Sequence, residues 1–86
     1  MFINKTKDGK NNLCGRNIYL IRKNMKISQR KLADLMQING LDIDKNAVQR
    51  IEAGKRFVTD IELIVFSRVL DTAVEKLLNY SAAADG

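Results

Sequence analysis

Residues 45–56 read KNAVQRIEAGKR and concentrate side chains that can do recognition chemistry. The amides of Asn46 and Gln49 each carry a donor and an acceptor side by side, a pairing that matches the major-groove edge of adenine. Lys45 and Arg50 are the donors that suit guanine. Lys55 and Arg56 follow a glycine and could reach a phosphate. Asp44 is a good N-cap and Gly54 a good stop, so these residues form one short helix, about Lys45 to Ala53. At about 100° per residue, Ala47, Val48 and Ile51 gather on one side of it. Lys45, Asn46, Gln49 and Ala53 gather on the other, with Arg50 and Glu52 on the borders. A polar face of this kind serves either solvent or a polyanionic groove.

A second basic group, Gln29-Arg30-Lys31, opens another expected helix, which starts at Ser28. Cations are unfavourable at a helix N-terminus, by about 0.3–1 kcal/mol on an exposed turn. They make sense there if an anion docks, because the free backbone N–H groups of that turn also bind phosphate. The charge distribution agrees. Residues 1–31 hold nine Lys and Arg against one Asp, whereas residues 32–86 hold six against nine acids. A basic half on a small chain suits nucleic acid or simply a soluble basic surface.

Five helical segments must position these groups. The first runs from about Leu13 to Asn24, with Ile18, Ile21 and Met25 on one face. The second carries Leu32, Ala33, Leu35 and Met36 inward and ends at Asn39-Gly40. The third is the polar-faced helix. The fourth follows Thr59 or Asp60 and holds Ile61, Leu63, Ile64, Phe66, Val69 and Leu70. Apolar over more than half its girth, it is expected to be the central buried helix. The fifth spans about Ala73 to Asn79, with Val74, Leu77 and Leu78 inward. Residues 1–12 are expected to be a basic, unpatterned tail, 13–79 the domain, and 80–86 a C-terminal tail.

The ordered string resembles the phage repressor and Cro type of helix-turn-helix proteins, the XRE family. It comprises Gly15, Ile18, Ile21 and Arg22; Ile27-Ser28-Gln29; Leu32-Ala33; Val48-Gln49-Arg50-Ile51-Glu52-Ala53-Gly54-Lys55; and Leu63, Ser67, Leu70, Val74, Leu77 and Leu78. The resemblance implies an all-α, compact five-helix domain and a transcriptional regulator, a repressor, that binds double-stranded DNA. It implies base contacts from Lys45, Asn46, Gln49 and Arg50. Phosphate contacts would come from Gln29, Arg30, Lys55 and Arg56, and Arg22 and Glu52 would form a buried ion pair. It also implies a homodimer on DNA, with the dimer surface expected near Leu77 to Tyr80. Three places depart from the family pattern. The link from the second to the third helix, MQINGLDID at 36–44, is about five residues long in excess, and Leu41 or Ile43 could plug the core. Lys31 stands where an acid often completes a capping box, and Ala73 stands where a capping Ser is common.

Composition narrows the rest. The chain has 86 residues, no His, no Pro and one Cys. A Ser-His or Cys-His pair is impossible, and one Cys is too few for a structural zinc site. No enzyme activity, metal or cofactor is expected. No stretch could span a bilayer, no signal pattern opens the chain, and Cys14 has no disulfide partner, so a cytoplasmic setting is expected. The alternative is a protein-interaction module built on the same fold, such as an antitoxin or phage accessory factor, using the long 36–44 link.

Overall fold

The computed structural model describes residues 4–79. Among them are five helices and no strand: α1 (Gly15–Asn24), α2 (Gln29–Ile38), α3 (Lys45–Glu52), α4 (Asp60–Val69) and α5 (Val74–Leu77). The 80–86 tail, with Tyr80, lies outside the described residues.

Local chemistry sets the boundaries. Ser28 Oγ accepts the Lys31 N–H at 2.9 Å, and Asp44 Oδ1 accepts the Ala47 N–H at 2.8 Å. Thr59 and Glu62 cap α4 reciprocally, each side chain taking the other's backbone N–H. Lys31 thus forfeits only the second half of a capping box on α2. Ala73 offers no side-chain cap to α5. At the far end of α3, Gly54 adopts φ +78°, where a side chain is disfavoured. The Lys55 N–H then returns to the Arg50 carbonyl at 2.9 Å, closing the helix end.

One core joins all five helices. Ile18, Leu32, Met36, Val48, Ile51, Phe66 and Leu77 are wholly buried, and Ile43 joins them from the loop before α3. Of the two candidates in the long link, Ile43 fills the core and Leu41 is half-buried against it. The link is held by Gln37, whose Nε2 donates to the Ile43 carbonyl at 3.0 Å. The main helix contacts are α2 with α3 and α4, α1 with α3 and α5, and α4 with α5.

Two expectations are corrected. Helix α4 is not central. Val65 and Phe66 face the core, but Ile61 is 66% exposed and Ile64 48% exposed. Its apolar residues form two faces, and α2 and α5 cover only one. Residues 6–12 also do not form a free tail. They fold into a loop bonded to the exit of α3, because their asparagines meet carbonyls that a helix C-terminus leaves unpaired. Smaller differences lie at α1 and α5. Met25 and Leu78 are exposed rather than inward, and α1 begins at Gly15 because Asn12 Oδ1 accepts its N–H at 2.8 Å.

Candidate nucleic-acid interface

Helix α3 carries the residues singled out by the sequence, and their sidedness follows from its period. Val48 and Ile51 are fully buried and Ala47 half-buried. Lys45, Asn46, Gln49, Arg50 and Ala53 are exposed. None of Lys45, Arg50 and Lys55 makes an ion pair among the described residues. Their charges are therefore not neutralised by an ion pair among the described residues. Arg30 and Lys31, on the first turn of α2, are exposed as well.

A buried network fixes how α3 is rolled about its axis. Arg22 Nε donates to Glu52 Oε2 at 2.6 Å, and Arg22 Nη2 donates to Glu52 Oε1 at 3.1 Å. The two side chains are only 8% and 5% exposed. Arg22 Nη1 donates to the Ile27 carbonyl at 2.8 Å, and the guanidinium carbon lies 5.5 Å from the Tyr19 ring centroid. The fork therefore ties α1, the α1–α2 turn and α3 together. A bidentate pair of this kind constrains angle as well as distance.

Gln29 joins the same network. Its Nε2 donates to Glu52 Oε1 at 3.0 Å. One amide proton expected to meet phosphate is thus committed to α3, so Gln29 couples the start of α2 to the end of α3. Its second proton remains for another acceptor.

Arg56 has a partner the sequence did not suggest. Its Nη1 and Nη2 donate to the two carboxylate oxygens of Glu62, each at 3.0 Å. This hydrogen-bonded pairing raises the Arg56 pKa and holds the Glu62 carboxyl below its ordinary 4.5. The pair gives Arg56 a role beside the expected phosphate contact: it braces the α3–α4 turn, and its charge is largely offset by Glu62. Because Glu62 is depressed in the folded state, its contribution is present above pH about 4.5 and is lost as pH falls through the lower folded value. Glu62→Gln is expected to flatten the acid limb of a stability-versus-pH curve measured by urea denaturation. An unchanged limb would show that the pair contributes nothing.

Sequence reasoning missed the N-terminal clamp. The Asn11 N–H donates to the Gly54 carbonyl at 2.7 Å, and Asn11 Nδ2 to the Lys55 carbonyl at 3.0 Å. Asn12 Nδ2 bridges the carbonyls of Ile51 (3.1 Å) and Arg56 (2.8 Å). Lys10 Nζ donates to the Ala53 carbonyl at 3.2 Å. The available signal was Asn12 three residues ahead of Gly15, a spacing suited to an N-terminal cap.

Cys14 is buried, and burial pushes its thiol up to about 11, which leaves it unreactive near neutral pH. No helix among the described residues is long and apolar enough to cross a membrane. Comparison with protein-family models, with curated proteins and with solved structures finds no match to this chain.

Proposed function

We propose that this chain is a sequence-specific double-stranded DNA-binding protein of the repressor and Cro type, a transcriptional regulator that lays α3 in the major groove. The observation that carries the reading is the division of α3: Val48 and Ile51 are sunk in the core, while Lys45, Asn46, Gln49 and Arg50 stand exposed on the opposite side. The small exposed Ala53 leaves room for a groove wall. In this reading those four side chains select bases. Lys55, the Arg30 side chain and the backbone N–H groups of Gln29 and Arg30, the two of the first turn of α2 that Ser28 does not take, hold phosphates and set the register. Gln29 contributes its remaining amide proton. Two copies would occupy half-sites about one helical turn apart.

The test is selection of bound duplexes from a random pool at two salt concentrations. Lys45→Ala and Gln49→Ala are each expected to relax preference at one or two positions, by about 1–3 kcal/mol. Lys55→Ala is expected to weaken every sequence alike and to lower the salt slope by about one. DNA affinity left untouched by both kinds of variant would refute the proposal.

One observation favours a second reading, a protein-interaction module. Ile38, at the end of α2, is 79% exposed. A partner retained in salt that abolishes DNA binding, and released by Ile38→Ser, would support it. The inward turn of Ile43 leaves the link with less apolar surface than its sequence suggests.

A further inference from the structure

The outer face of α4 is apolar and carries charge in an ordered way. Ile61 and Ile64 are 66% and 48% exposed, and Phe57, in the turn before the helix, is 63% exposed; together they leave on the order of 300 Å² of apolar side chain in water, comparable to the largest patch of a typical monomer, which is often functional. Asp60 and Arg68 flank this face on the same helix, and both are exposed. Neither makes an ion pair among the described residues. At helical spacing Asp60, Ile61, Ile64 and Arg68 share one side, with the acid and the base about 12 Å apart along the axis.

Ile64 lies midway between Asp60 and Arg68. We infer that a second copy of this chain covers this face, with α4 packed antiparallel on its mate about a two-fold axis at Ile64. A two-fold interface must be complementary to itself. About an axis at Ile64, each Asp60 meets the Arg68 of the other copy, and Ile64 meets Ile64. Ile61 falls beside the axis, where it closes the apolar centre. The same pattern placed in parallel would set like charges against each other, so the order of charges selects the antiparallel arrangement. Surface pairs add little strength, and here they choose orientation. The patch is smaller than half of a standard interface, so the association is weak. The inference rests on the surface of α4 and not on DNA binding, and its test contains no DNA.

Sedimentation of the full chain at low salt measures it. The wild-type mass is expected to rise from monomer toward dimer between about 10 µM and about 1 mM. Ile64→Glu is expected to abolish the rise. Asp60→Arg and Arg68→Asp are each expected to weaken self-association about tenfold or more, because like charges then face each other twice. Mixed in equal amounts, these two variants are expected to recover association to within about threefold of wild type, because each reversed side chain now meets an opposite charge. Circular dichroism of each variant before mixing confirms that its helices are intact. A wild-type chain that stays monomeric at about 1 mM would overturn the inference and leave the face to a different partner. A mixture that stays as monomeric as its components would overturn it as well.

Discussion

Glu52→Ala is expected to remove about 3–5 kcal/mol of folding stability. The loss comes from what remains. Arg22, only 8% exposed, would keep its charge with neither carboxylate oxygen to receive it, and Gln29 Nε2 would lose its acceptor. A domain of this size has total stability near the lower end of about 5–15 kcal/mol, so the variant would be partly unfolded at ordinary temperature. Its melting temperature is expected to fall by about 15 °C or more. The native pair is poor evidence of net stabilisation, since apolar replacements of similar volume often match a buried ion pair. Arg22→Met combined with Glu52→Leu should therefore recover a good part of what Glu52→Ala loses. Urea denaturation of the three variants gives the comparison. A Glu52→Ala chain within about 1 kcal/mol of wild type would mean that water reaches Arg22 freely.

Gly15→Ala is expected to destabilise by about 3 kcal/mol, the upper end of the cost of overpacking. Gly15 is buried where α1 crosses α3, and a Cβ there would overlap the Ile51 carbonyl oxygen. It would also come within 2.8 Å of Asn12 Oδ1 and 3.0 Å of the Ile51 carbonyl carbon. Those Ile51 atoms are backbone, so no rotamer change relieves the contact. The α1 and α3 backbones must therefore separate, and the Asn12 side chain that bonds both Gly15 and Ile51 is displaced with them. The sign is diagnostic, because alanine is favoured over glycine by about 1 kcal/mol inside a helix when nothing crowds it. Thermal or urea denaturation reads it directly. A neutral or stabilised Gly15→Ala would show that the two helices do not approach this closely.

What the sequence made legible was local or periodic. Ser28, Asp44 and Thr59 cap helices because capping needs only a side chain and an N–H three residues on. The division of α3 into buried Val48 and Ile51 and exposed Lys45, Asn46 and Gln49 follows from 3.6-residue geometry. The Arg22–Glu52 pair was anticipated through a family resemblance, not through spacing. What escaped needed three-dimensional placement. Arg56 was read only as a phosphate contact, because nothing in its spacing from Glu62 shows that the intervening turn brings them together. Helix α4, apolar over more than half its girth, was read as the central buried helix because an apolar count does not reveal how many neighbours a helix has. Asn11 and Asn12 looked like tail residues because their acceptors, at 51–56, are some forty positions away.

That last arrangement has a consequence for how force passes through the molecule. A single amide, Asn12, receives the first N–H of α1 and grips two carbonyls at and after the end of α3, those of Ile51 and Arg56. Residues 10–12 and the trailing end of α3 are thus bonded into one piece, while the leading end, at Lys45, is secured separately by the Asp44 cap, the buried Ile43 and the Gln37 bond to it. A pull on residues 10–12 is therefore transmitted to the Gln49 end of α3 before it reaches the Lys45 end.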